Sequence, residues 1–242
     1  MKKLSPRLCM CAGMVTPGNT LTDVGCDHAG LAIWLVEKGV CPGAVASDVA
    51  RGPLSNAERE IETAGLTDRI DTVLSDGLKD LSPERGGTLV LAGMGAALML
   101  KILSDSPEKT SLFAEYVFQP QSEDELMRRS LQGLGIRIED EKDLYEGNKY
   151  YHAMRCTRGE AEDPGIDLPD RILFRYGPVL LKNRGECTKR HVRSELLRYR
   201  KALEENERNG GEDSESRCLE LAGYVKDCEI TDAYLNQKGG ER

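Results

Sequence analysis

The chain has 242 residues, 39% of them hydrophobic, enough for one large domain or for an average domain with an appendage. Its formal net charge of −8 argues against indiscriminate nucleic-acid binding by the whole surface, and no apolar run approaches a membrane span. The eight cysteines are scattered without a Cys-x-x-Cys pair and the three histidines form no His-Glu-x-x-His, so the expectation is reduced thiols, no metal site and a cytoplasmic protein.

In chain order, residues Met1 to Asn19 read as a short helix with Leu4, Leu8 and Met14 turned inward, closed by the turn Pro17-Gly18-Asn19. Leu21 to Val24 is a buried strand. Gly25 follows as a tight turn, and Leu31 to Val36 supplies a helix that Gly39 can end. A strand, a glycine turn and a helix near the amino terminus is where doubly wound α/β folds hold a nucleotide-like cofactor. The acid at the strand's end selects among cofactors. Asp23 would repel a pyrophosphate and attract the ammonium and sulfonium of S-adenosylmethionine (SAM).

Gly43 to Asp48 is a second strand ending in an acid. Gly52-Pro53 opens a helix that reaches about Ala64, where Gly65 stops it. Ile70 to Ser75 is a third strand ending at Asp76-Gly77, and the apolar fourth, Thr88 to Ala92, ends at Gly93-Met94-Gly95. Ala96 to Leu103 is helical, Tyr116 to Phe118 is a fifth strand ending at Gln119-Pro120-Gln121, and Glu123 to Leu134 is helical. Ile136 to Leu144 and Lys149 to Cys156 then form a hairpin across Tyr145-Glu146-Gly147-Asn148. Five alternating strands closed by a hairpin match the seven-stranded, Rossmann-like sheet of class I SAM-dependent methyltransferases. Right-handed crossovers place all the parallel strands' carboxyl ends on one rim, which collects Asp23, Asp48, Asp76, Gly93 to Gly95 and Gln119.

Gly159 to Pro169 is polar and proline-bearing and reads as a boundary, giving a catalytic domain over 1–160 and a helical, coiled-coil-like domain over 170–242. Glu186 to Arg208 is one helix with Val192, Leu196, Tyr199 and Leu203 on a face. Asn209-Gly210-Gly211 is a turn. Glu212 to Gln237 is a second helix expected to face the first through Leu219, Ala222 and Val225. Ten basic and two acidic residues lie between Arg171 and Lys201, a local +8 that leaves −16 for the remainder. An acidic body with one basic segment suggests a local polyanion contact, through Lys182, Arg184, Lys189, Arg190, Arg193, Arg198 and Arg200.

With these elements in place, the chain resembles the bacterial tRNA adenine-22 N1-methyltransferase (TrmK) family over nearly its whole length. The resemblance rests on Leu4-Ser5-Pro6-Arg7-Leu8, Asp23-Val24-Gly25-Cys26-Asp27-His28-Ala29 and Asp48-Val49-Ala50-Arg51-Gly52-Pro53. It continues through Gly65 to Ile70, Ser75-Asp76-Gly77-Leu78, Ala92-Gly93-Met94-Gly95, Gln119-Pro120 and Tyr176-Gly177-Pro178. It implies methyl transfer from SAM to N1 of an adenine in tRNA, with tRNA as partner, neither metal nor membrane, and a helical carboxyl-terminal domain. A methyltransferase of a small metabolite and a catalytically silent SAM- or RNA-binding module are the alternatives. The expected cofactor contacts are Asp23, Gly25, Asp27, His28, Asp48, Val49, Asp76 and Gly77. Gly93, Met94, Gly95 and Gln119 are expected to position the target base, with no general base assigned. Tyr145, Tyr150 and Tyr151 are possible stacking partners. The chain departs from the family at Ala96, Gln121 and Cys26, where glycine, asparagine and serine are usual.

Overall fold

The computed structural model describes residues 3–83, 86–209 and 214–237 and divides into two compact units, Met1–Asp163 and Pro164–Arg242. The first unit holds a seven-stranded sheet. Its strands are β1 (Leu21–Val24), β2 (Ala44–Asp48), β3 (Ile70–Leu74), β4 (Thr88–Met94), β5 (Glu115–Pro120), β6 (Ile136–Glu146) and β7 (Lys149–Arg158). Their order is β3-β2-β1-β4-β5-β7-β6, parallel from β3 to β5, with β7 and β6 antiparallel. Chain order reverses at β1, between β2 and β4, so the crevice for a ligand opens at the carboxyl ends of β1 and β4.

Period-two alternation divides the central strands between two cores. Leu89, Leu91, Tyr116 and Phe118 pack on one side with α4 (Ala96–Asp105) and α6 (Asp124–Gly133). Val90 and Val117 pack on the other with α1 (Pro6–Ala12), α2 (Gly30–Glu37) and α3 (Arg51–Ala64). A single turn, α5 (Pro107–Thr110), precedes β5. Arg128 of α6 and Glu141 of β6 form a fully buried ion pair at 2.7 Å that ties the helix to the edge hairpin.

Three details differ from the sequence reading. The first helix is shorter than Met1 to Asn19. It starts at Pro6 because the Ser5 side chain accepts a hydrogen bond from the Leu8 amide, and proline suits the first helical position. Strand β4 continues through Gly93 to Met94 across an irregularity opposite Gln119 and Pro120, so the glycine loop is itself part of the sheet edge. The hairpin turn tightens to Gly147-Asn148, both at positive φ.

The second unit contains α7 (Asp170–Tyr176), α8 (Pro178–Asn183), α9 (Glu186–Asn209) and α10 (Ser214–Asn236). Its core joins Ile172, Tyr176, Leu181, Val192, Cys228 and Leu235. Arg175 lies within 5.4 Å of the ring centroids of Tyr176, Tyr199 and Tyr224 and bonds Glu195. The expected stripe on α9 is present, with Val192 buried and Leu196, Tyr199 and Leu203 half-buried. On α10 the expected face is corrected: Leu219 is 71% exposed and Ala222 is exposed, while Leu221, Cys228, Thr231 and Leu235 are buried. Leu221, Cys228 and Leu235 follow a seven-residue recurrence, with Thr231 three residues after Cys228, the spacing that keeps one side of a long helix against its partner. The turn residues Gly210 and Gly211 lie outside the described residues. Among the described residues no helix is long and apolar enough to cross a membrane.

Candidate active site

A cavity of about 360 Å³ opens at the carboxyl ends of β1, β4 and β5. Its walls include Asp23, Gly25, Cys26, Asp27 and His28 from β1 and the loop after it, Gly93 from β4, and Gln119 and Gln121 from β5 and its following loop. Leu4, Ser5, Arg7 and Leu8 close it from the amino-terminal side. The sequence rim thus becomes one space, but only in part. Asp48 at the end of β2, Val49 just past it, and Asp76 and Gly77 after β3 stand outside its lining, as do Met94 and Gly95.

The loop after β1 is built from backbone geometry. Gly25, Asp27 and Ala29 all take positive φ, at 75°, 51° and 52°. Glycine adopts this freely and aspartate tolerates it, whereas Ala29 carries a strain of about 1–2 kcal/mol. Ala29 is fully buried, which holds it in place. The carbonyl of Ser47 on β2 accepts the amides of both Gly25 and Cys26, at 2.8 and 3.0 Å. The N–H groups of Asp27 and His28 make no hydrogen bond among the described residues, so two donors remain in a loop that borders the cavity.

Asp23 is 5% exposed and its carboxylate has no hydrogen-bond or ion-pair partner among the described residues. Burial, reinforced by the charge of Asp48, pushes its pKa up from 3.8 to about 7. A buried carboxylate without a counter-charge beside a cavity is chemically able to receive a cationic ligand group. Cys26 is a poor nucleophile here: burial first, then the fields of Asp23 and Asp48, push its thiol up to about 12. Gln119 is 1% exposed and its Nε2 donates to the Pro120 carbonyl at 2.7 Å, while its Oε1 accepts nothing among the described residues. That oxygen is an acceptor at the cavity wall.

The outer rim is more open. Asp48 Oδ1 accepts the Ala50 amide at 2.9 Å, and Val49 is 68% exposed, an apolar surface at a strand end. Asp76 is exposed and ion-paired with Lys79, which holds its carboxyl below the usual range through that hydrogen bond and charge. Gly77 has a φ of 64°, and a β-carbon there would press on Ile102 at 3.2 Å.

The basic residues of the second unit are mostly matched within it. Lys189 pairs with Glu186, Arg193 with Asp232, Arg198 with Glu195 and Arg200 with Glu229. Arg184 donates to the Gln237 carbonyl and lies 4.6 Å from the Tyr234 ring centroid. Lys182 is exposed. Gln121, which follows β5 beside Gln119, is in the cavity wall, and so is Arg7, to which the sequence reading gave no role. The opening Leu4 to Leu8 motif was the available signal for Arg7.

A Rossmann-like sheet closed by an antiparallel hairpin, with an acid-and-glycine loop at its switch point, defines a class I methyltransferase domain. Residues 4–154 match the methyltransferase-domain family. Over 184 residues the chain is 31% identical to the tRNA (adenine(22)-N(1))-methyltransferase of Bacillus subtilis strain 168, covering 75% of this chain and 76% of that protein. The chain belongs to the tRNA (adenine(22)-N(1))-methyltransferase family. The crystal structure of the B. subtilis m1A22 tRNA methyltransferase TrmK superposes with a TM-score of 0.83 at 25% identity, over 95% of this chain and 99% of that one. Streptococcus pneumoniae Sp1610, solved in complex with S-adenosyl-L-methionine, superposes with a TM-score of 0.81 at 28% identity, over 95% of this chain and all of that one.

Proposed function

We propose that this protein transfers a methyl group from SAM to N1 of an adenine in tRNA, adenine 22 by its family membership, and that it works in the cytoplasm. The observation that carries the cofactor assignment is the buried, unpartnered Asp23 carboxylate at the cavity. It suits the methionine ammonium, and the unbonded amides of Asp27 and His28 suit the methionine carboxylate. Gly25 keeps the backbone close to the ligand. Asp48 and Val49, and beyond them Asp76 and Gly77, follow the strand ends outward and are assigned to the ribose and the adenine ring of the cofactor. When bound, the cofactor supplies a methyl group activated by the positive sulfonium.

Adenine N1 has an in-plane lone pair that is unprotonated near neutrality, so the nucleophile needs no deprotonation before attack. The chain's own task is to position the base and exclude water. Because N1 lies on the Watson–Crick edge, the target base must be unpaired or flipped out. Gly93 borders the space for that base, and Met94 and Gly95, which continue the chain from it, are assigned to shaping that border. Gln119 Oε1 is the acceptor we assign to the exocyclic N6 amine. Lys182 and its basic neighbours on α8 and α9 are assigned to the RNA backbone. The test is mass spectrometry of digested tRNA after single-turnover reaction with SAM. N1-methyladenosine is expected, and methyl on guanine or cytosine, or no transfer, would overturn the assignment.

A further inference from the structure

The opening motif Leu4-Ser5-Pro6-Arg7-Leu8 has a geometric consequence that cofactor binding does not account for. Ser5 caps α1 and Pro6 occupies its first position, so the helix begins where Arg7 becomes part of the cavity wall. The Arg7 guanidinium lies 4.8 Å from the ring centroid of Tyr151 on β7. Lys149, two residues before Tyr151 and therefore on the same face of the strand, places its Nζ 5.3 Å from that centroid. The same Nζ donates to the Gln121 carbonyl at 2.5 Å, which ties the hairpin to another part of the cavity wall. Two cations are therefore held against one ring, next to the part of the cavity wall formed by Arg7 and Gln121.

Their charge is poorly compensated. The only carboxylate within ion-pair range of Arg7 among the described residues is Glu146, at 3.9 Å, and Arg7 makes no hydrogen bond there. Lys149 has a carbonyl and a ring as partners but, among the described residues, no carboxylate in ion-pair range. This contrasts with Arg193, Arg198 and Arg200 of the second unit, each held by an acid at 3.0 Å or less. Like charges held against one ring repel, and the aromatic ring pre-orders both without neutralising either, so an anion nearby would be stabilised. The cavity thus carries the buried Asp23 carboxylate and the Arg7 cation in its wall, an arrangement suited to a cationic cofactor with a polyanion alongside.

We propose that Arg7, Lys149 and Tyr151 form a seat for the RNA phosphate backbone beside the target nucleotide, with Tyr151 the positioning residue that holds the two cations. This rests on the tRNA methyltransferase reading above. The methyltransferase unit thereby makes its own RNA contact, in addition to any made by the basic helices.

The test measures tRNA affinity of the full-length protein over a range of KCl concentrations, with SAM affinity by calorimetry and folding by circular dichroism alongside. Removing both charges in R7Q/K149Q should weaken tRNA binding by about tenfold or more. It should also reduce the slope of log affinity against log salt by roughly 1.5, near 0.7–0.9 for each phosphate lost. SAM affinity in K149Q alone, whose side chain is outside the cavity lining, should stay within about twofold. Y151F should bind tRNA as wild type, and Y151L should lose affinity with both charges still present. R7K, which keeps the charge at small structural risk, should retain most of the salt slope. An R7Q/K149Q protein that is folded and binds tRNA with unchanged affinity and slope would overturn the proposal. So would loss of tRNA affinity in R7Q/K149Q with the salt slope unchanged, because the residues would then act through the fold alone. Failure of wild-type protein to methylate tRNA would instead overturn the functional reading, so the two failures are distinct.

Discussion

A β-carbon on Gly25 would fall 2.3 Å from the Cε of Met94, so the loop after β1 and the glycine-rich end of β4 share one packed boundary beside the cavity. At a φ of 75°, Gly25→Ala should carry about 1–2 kcal/mol of backbone strain as well as this collision. Met94 is flexible, so Met94→Ala in the same chain should recover the collision and leave the strain. SAM affinity and thermal midpoint, measured for both singles and the double, separate the two contributions. Gly95→Ala should be milder: its φ is −68°, and the nearest atom to the new carbon is Ser122 Oγ at 3.3 Å.

SAM affinity should depend on pH through Asp23. With its pKa pushed up to about 7 in the ligand-free protein, the carboxyl is increasingly protonated as pH falls, and binding of the ammonium must expel that proton. Affinity should fall up to about tenfold per pH unit below 7 and level off above it. Calorimetry in two buffers of different ionisation enthalpy should detect proton release near pH 6.5 and much less at pH 8.5. Equal enthalpies in the two buffers at pH 6.5 would exclude this linkage.

The same residue should trade stability for binding. The folded state disfavours charged Asp23, so its share of stability is fully present below pH 3.8 and is lost as pH rises through about 7. Asp23→Asn removes that loss. The variant should melt several degrees above wild type at pH 8, on the order of 2 kcal/mol more stable, and close to wild type at pH 4. It should lose SAM affinity by the order of 1.5–3 kcal/mol. Asp76→Asn, at an exposed site, should raise the SAM requirement with little change in kcat and in melting.

Glu141→Ala should strand the buried Arg128 charge and destabilise the first unit by about 3–5 kcal/mol in chemical denaturation. Arg128→Met with Glu141→Leu, which removes both charges, should be far less damaging. Comparable losses in the two variants would mean that the site depends on packing volume and not on charge pairing.

In the second unit, Lys182→Gln should lower the salt slope of tRNA binding by about one contact without affecting melting. Arg193→Glu would set a carboxylate beside Asp232, so any tRNA loss there should arrive with lost helical content. Circular dichroism on both variants checks the distinction.

The strands and the rim were legible in the sequence because burial on both faces leaves a signal in each residue. Leu89, Val90 and Leu91 must all be apolar, and a strand end must turn, so Asp23-x-Gly25 and Gly93-Met94-Gly95 punctuate the chain at the site. The heptad face of α10 was less legible. Leu219 is as apolar as Leu221, and only the partner helix decides which is covered. The +8 count between Arg171 and Lys201 likewise carried no record of Asp232 or Glu229, which lie far along the chain and neutralise Arg193 and Arg200 by folding back. Lys149 and Tyr151 are neighbours on one face of β7, but Arg7 lies more than a hundred residues before them and no local pattern links it to them. Their meeting is decided by the antiparallel hairpin and the capped first helix. What a single residue must do to satisfy its own backbone and burial is written locally. Which charges find one another, and which acid is left alone in a cavity with its pKa raised to about 7, is settled only when distant segments share a low-dielectric space.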